Sequence, residues 1–451
     1  MIQRKLQRKP APIRVVVLRR LRKIIAKVTN TSTQVAITCV SLVVHAAQPV
    51  VPVSNNQLPS GAVVANGQVS ITSSSTANSA NMQIIQTTPQ AIINWSSFNV
   101  GANAKVNIQE PNAQSAILNR VGDANPTKIY GQITSNGQVF ISNANGVYFS
   151  PTASVEVGGL VATTQAISDA DFLSGKATFT RNDATGKVIN KGTLKASLGG
   201  YIALLAPEVV NEGVVIAKMG AAVMASGDQI TLNFNKAGSL LGVVTSESTI
   251  KTLIDNKNAV IAPGGLIILS AGAAQTLQSA VVKVSGSLIA SSMKSEGGKI
   301  ILQGSDITTI SNSKINANGS TGGGSVSISG SQSVTIEPGT SINASSTSTG
   351  NGGAVSISSG AHLLVAGTIT AQGGLVGGNG GHVQMTTNGS LALDSALVVN
   401  AGAMSTSGLP GAWTVNAPSL NINAAAAKAI STSLDTNHVN LNASQLYCDG
   451  S

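Results

Sequence analysis

Catalysis on a repetitive scaffold needs carboxylates, bases or thiols that converge on one spot, and few side chains in this sequence can do so. Between Gly264 and Ala429 the acidic residues are Glu296, Asp306, Glu337 and Asp394, spaced so that no two take matching positions of neighbouring strands. A hydrolase or lyase would need such a pair for general acid–base work. His362, His382 and His438 are too dispersed to hold a metal ion. The "SGK" at Ser174 lacks the upstream glycines of a phosphate loop, and "GGLVGGNGGH" lacks the aspartates of a calcium-binding nonapeptide repeat. Cys39 and Cys448 are the two cysteines of the chain. These residues predict no catalytic group, no metal and no cofactor, so the chain is not expected to be an enzyme.

Recognition is the other chemistry on offer. The stretch "GQVFISNANGVYFSP", Gly137 to Pro151, sets Asn145-Gly146 between two β-branched and aromatic runs. That pattern predicts a hairpin closed by a type I′ turn, which requires positive φ at both central residues. Asn143, Asn145 and Gly146 are therefore either a turn alone or a turn that also serves as a recognition signal.

Across the whole chain, charged residues are 10 % and aromatics 3 %, against roughly 25 % charged in an ordinary domain. With 42 % hydrophobic residues a core is available, and small polar plus β-branched side chains suit stacked strands. The net charge of +10 is local: ten basic residues lie between Arg4 and Lys27, and no acidic residue precedes Glu110. The remaining 17 basic residues equal the 17 acidic ones, which leaves no footprint for nucleic acid. The basic segment leads into the apolar "TQVAITCVSLVVHAAQ", too short to span a bilayer comfortably. A basic region, an apolar run and a small-residue site predict a signal peptide, cleaved after Ala46 or Ala47. The mature chain would keep a single thiol and hence no internal disulfide.

The second half repeats. Ala290, Ala317, Ala344, Ala371 and Ala401 share one local pattern at spacings of 27, 27, 27 and 30. In phase with them runs a glycine, usually doubled, followed by alternation: "GGLIILSA", "GGKIILQG", "GGSVSISG", "GGAVSISS", "GGHVQMTT" and "PGAWTVNA". Ile267, Ile300, Val326, Val355, Val383 and Trp413 open the apolar positions of these strands. Because side chains alternate faces, they should form an inward column. The outward neighbours Ile268 and Ile301 are apolar, whereas Ser327, Ser356, Gln384 and Thr414 are polar. An extra element is expected to cover the first two rungs. Upstream, "VINKGTLKA" and "VVNEGVVIA" match position for position at a spacing of 21. Both sets predict a solenoid of parallel strands, since one coil cannot bury its own apolar face but stacked coils share a core. A β-propeller would need about 40 residues per repeat.

"INWSSFNVG", "AILNRV", "IYGQITSNGQVFISNANGVYFSPTASVEVGGLVATT" and "GGYIALLAPEVVNEG" follow one another between Ile93 and Gly213. In content and order they resemble the secretion domain at the N-terminus of filamentous haemagglutinin-type exoproteins of bacterial two-partner secretion. In that family the hairpin tip reads Asn-Pro-Asn-Gly; here Ala144 stands in place of the proline. The resemblance implies an all-β, right-handed parallel β-helix with extra-helical hairpins. It also implies passage through the periplasm and export by a dedicated outer-membrane β-barrel transporter that recognises this domain.

The expected organisation is a signal peptide over 1–47, a secretion domain over 48–260, β-helix repeats over 261–429, and a further repeat begun over 430–451. An adhesin-like exoprotein, secreted or held at the surface of a Gram-negative cell, is the expected function. It would meet a host carbohydrate or protein receptor, and its exposed β-edges would favour self-association. A secreted cytolysin or haem-acquisition exoprotein would use the same secretion domain. A truncated, non-functional remnant of a larger adhesin is the third reading.

Overall fold

The computed structural model describes residues 52–272, 280–293, 297–309, 312–423 and the backbone of 438–449. The expected signal peptide, with Ala46 and Ala47, lies outside them.

From Ala80 onward nearly every strand pairs in parallel with strands one coil before and one coil after it. Such pairing is the signature of a parallel β-helix. The two 21-residue copies stack as expected, with Val188 opposite Val209 and Asn190 opposite Asn211. The N-terminal end is closed differently. Strand Val63–Asn66 runs antiparallel to Gln90–Trp95, and Val69–Ser75 runs antiparallel to Ala80–Gln86. This pair covers the first coil, an end that a solenoid must protect from solvent and from strand addition.

One sheet carries the logic of the whole molecule. Along its inner side Ile267, Ile300, Val326, Val355, Val383 and Trp413 face one another in register, none more than 1 % exposed. Along its outer side a second column runs Ile92, Leu118, Phe140, Val161, Ala203, Val223, Ile268 and Ile301, then Ser327, Ser356, Gln384 and Thr414. The change from apolar to polar falls where an extra-helical cover ends. That cover is a three-stranded antiparallel sheet of Ala177–Thr180, Gln229–Phe234 and Leu240–Thr245, with the short helix Asp169–Leu173. Ile268 is 3 % exposed beneath it, and Ile301 packs at its margin. The described residues thus form two apolar cores: one inside the coil, one between the outer face of the sheet and this cover.

The second glycine of each doublet answers to distance rather than to backbone angle. A Cβ on Gly298, Gly324, Gly353, Gly381 or Gly411 would lie 1.9 to 2.2 Å from the carbonyl oxygen of the corresponding glycine one coil earlier. No side chain fits where backbones approach so closely. Elsewhere a polar stack does similar work: Asn190 Nδ2 donates to Asn211 Oδ1 at 2.8 Å, and Asn211 Nδ2 donates to Asn256 Oδ1 at 2.8 Å. All three asparagines are fully buried, and each amide satisfies the next, so the stack carries little desolvation cost.

Candidate recognition surface

Asn143, Asn145 and Gly146 do not close a hairpin. Strand Gln138–Ser142 pairs in parallel with Ala116–Val121 and Ser154–Thr163, whereas Val147–Phe149 pairs with Thr127–Ile129 and Lys187–Asn190. The two flanking runs never pair with each other. They occupy different faces of one coil, and the segment between them is the corner. The chain bends there without reversing, so only Gly146 takes a positive φ, at +125°, and a type I′ turn is not formed. An Asn-Gly pair signals a tight bend but does not state which strands it joins.

The corner is heavily bonded. The Gly146 amide donates to the Asn143 carbonyl at 2.9 Å, and the Asn145 amide donates to Asn143 Oδ1 at 2.9 Å. Asn143 Nδ2 donates to the Asn125 carbonyl and to Thr127 Oγ1, both at 3.0 Å, with Asn143 only 1 % exposed. The exposed Asn145 donates through Nδ2 to the Asp123 carbonyl at 2.8 Å. Asn143 is therefore an internal strut, and Asn145 is the side chain that faces outward. Asn143→Ala strands three polar partners and is expected to cost about 2–3 kcal/mol, read as a lower urea midpoint. Asn145→Ala, solvent-exposed, should cost less than about 1 kcal/mol. An N145A chain that folds as wild type yet is not exported would assign that amide a direct part in recognition. Normal export would leave the corner a purely structural element.

Beside the corner, the extra-helical cover is fastened by ions. Asp228 accepts from Arg181 Nε at 2.7 Å, Ser248 Oγ at 3.0 Å, and the amide and hydroxyl of Thr249 at 3.0 and 2.8 Å. Burial pushes the Asp228 carboxyl up, but the hydrogen bonds from Arg181, Thr249 and Ser248 outweigh it and hold it down at about 2. On the other flank Arg120 reaches Asp169 in the first turn of the helix at 2.6 Å, and the Ser168 hydroxyl caps that helix. Gln165, fully buried, donates to the Gly227 carbonyl at 2.6 Å.

Glu110 is a buried carboxylate on a neighbouring coil. It is 3 % exposed, Oε1 accepts from the Ser135 hydroxyl at 2.8 Å, and Oε2 has no hydrogen-bond partner among the described residues. The carboxyl lies against Gly137, where a Cβ would come within 2.4 Å of it. Burial pushes its pKa up to about 8, against the smaller downward pull of Ser135 and the Gln138 amide. Neither Glu110 nor the Arg181–Asp228 pair stands out in the sequence, because each is defined by partners 20 to 68 positions away.

The described residues thus form a capped parallel β-helix with an extra-helical sheet fastened over its first coils. Residues 55–317 match the TPS secretion domain family, more than half of the chain, and the chain belongs to that family. A heme/hemopexin-binding protein of Haemophilus influenzae strain Rd is 31 % identical over 262 residues, covering 56 % of this chain and 28 % of its own length. A second heme/hemopexin-binding protein of Haemophilus influenzae is 27 % identical over 248 residues, covering 50 % of this chain and 26 % of its own. The matched region thus spans less than a third of either relative. The crystal structure of the HMW1 secretion domain from Haemophilus influenzae superposes with a TM-score of 0.60 at 23 % identity, over 79 % of this chain and 100 % of that one. That likeness shows the fold.

Membership gives this chain its route. It is the exported member of a two-partner secretion system of a Gram-negative bacterium, carried through the periplasm and across the outer membrane by a transporter.

Proposed function

We propose that the exported product is a non-enzymatic, adhesin-like exoprotein whose β-helical shaft presents a binding surface to a carbohydrate or protein receptor. The observation that carries this reading is the outer column of the shaft. Beyond Ile301 it turns to Ser327, Ser356, Gln384 and Thr414, a neutral ladder of hydrogen-bonding groups on a rigid rod. Such a surface suits weak, repeated contacts rather than a single pocket. The shaft acids Asp306, Glu337 and Asp394 stand apart, and Asp306 is already engaged by the Ser333 hydroxyl.

Haem acquisition is the second reading, favoured by the names of the two relatives. One experiment separates them. The chain is expressed with its transporter in a Gram-negative host, and the exported product is assayed for attachment to epithelial cells and for haemin binding by absorbance. Attachment without a haemin spectrum is the expected result. A stoichiometric haemin complex without attachment would replace the adhesin reading with the haem one.

A further inference from the structure

Between the extra-helical cover and the shaft lies an open cleft of about 230 Å³. It exists because of one small residue. On the outer face Ala116 sits in register between Gln90 and Gln138, and its methyl group leaves a hollow where its neighbours are long. Phe140, Phe172 and Phe234 form the apolar walls, with Phe140 and Phe172 meeting edge to face at 5.3 Å. The walls are held rigidly: Gln90 Nε2 donates to the Phe172 carbonyl at 2.9 Å, tying the short helix to the shaft. On the opposite side the Asn235–Ser239 turn is braced by Asn235 Oδ1, which accepts from the Ala237 and Ser239 amides at 2.9 Å.

Among the described residues, the charged side chains lining the cleft are Lys176 and Lys236. Lys176 is offset by Asp171 at 3.3 Å, while Lys236 makes no ion pair among the described residues. The mouth is therefore cationic over an aromatic interior. An apolar cavity of about 150 Å³ accepts benzene, so this one has room for a single ring or a short alkyl chain. We propose that the cleft binds a small amphipathic carboxylate, its apolar part among Phe140, Phe172 and Phe234 and its carboxylate at Lys236. The polar groups lining such a site fix orientation, and the aromatic walls supply affinity.

The test is calorimetric titration of the full exported chain with sodium octanoate, with octanamide as the uncharged control. Saturable binding at one site is expected, weakened about tenfold or more for octanamide. Lys236→Glu, at an exposed turn, should weaken octanoate by a similar factor with no change in the urea midpoint. Ala116→Leu, which fills the hollow, should abolish binding. Absence of saturation would overturn the proposal, as would equal affinity for octanoate and octanamide. Octanoate binding unchanged in both K236E and A116L would assign it to non-specific adsorption and overturn it equally.

Discussion

Replacing Glu110 with glutamine will abolish most of the alkaline loss of stability in this protein. The carboxyl titrates at about 8 in the folded chain and near 4.5 when exposed. Between those values the folded state holds a proton that the unfolded state has released, so stability falls as pH rises. Each unit of difference is worth about 1.4 kcal/mol, giving a total of about 4–5 kcal/mol lost between pH 4 and pH 9. Below pH 4 both states are protonated and the wild type and E110Q should coincide, since Gln is a neutral isostere of the protonated acid. At pH 9 the variant should be the more stable by most of that amount. Urea midpoints measured across this range for both chains decide it. Parallel curves would show that the carboxyl reaches water or finds a partner for Oε2, and that burial does not govern its titration. Folding of the wild type at neutral pH should also take up a proton, visible with an indicator dye in an unbuffered refolding mix.

Asp228→Ala is expected to free the extra-helical sheet while leaving the shaft intact. The carboxylate gathers Arg181, Ser248 and Thr249, and its removal leaves the Arg181 side chain, only 10 % exposed, with a hydrogen bond from Nη2 to Thr249 Oγ1 at 2.8 Å and a 3.9 Å contact to the exposed Asp183, but with no close carboxylate to neutralise its charge. Uncompensated buried charge costs about 3–5 kcal/mol in well-enclosed pairs; partial exposure of Asp228 brings the expectation here to about 2–3 kcal/mol. That free energy should appear locally, because the sheet has its own core and its own edges. Amide exchange over 177–180 and 229–245 should accelerate about a hundredfold, with strands beyond 314 unchanged. A uniform rise along the whole chain would mean that sheet and shaft unfold as one unit. In the wild type the same latch should fail in acid: its folded pKa lies below the ordinary value of 3.8, at about 2, so its contribution holds above that range and disappears as pH falls through it. The two carboxyls therefore oppose each other, Asp228 favouring neutral pH and Glu110 favouring acid.

Periodicity makes the shaft legible in the amino-acid sequence alone. Alternation after each glycine places Ile267, Val326 and Trp413 on one face, and the switch from Ile301 to Ser327 locates the edge of a cover whose own strands carry no such pattern. Both are one-dimensional signals, because in a solenoid a residue's neighbours recur at the repeat length. The corner at Asn143 misleads for the opposite reason. A hairpin and a coil corner use the same turn chemistry, and only the identity of the paired strands distinguishes them. Glu110 is invisible because "NIQEPNA" resembles any solvated loop, and its burial depends on Ser135 and Gly137 one coil later. The cover's latch joins 181 to 228 and 249, a spacing with no period.

The column of glycines pressed against carbonyls has a consequence for how such a molecule can change in size. Each of Gly298, Gly324, Gly353 and Gly381 meets the coil before it through the same atoms. Removing residues 325–353 would bring Ala354 to the place of Ser325 and carry Gly324 into the role Gly353 held against its successor. The junctions on either side would be chemically the same. Duplication of one coil should be equally silent. The rod can thus be lengthened or shortened by whole coils through recombination between its own repeats, while the capped and latched end stays untouched.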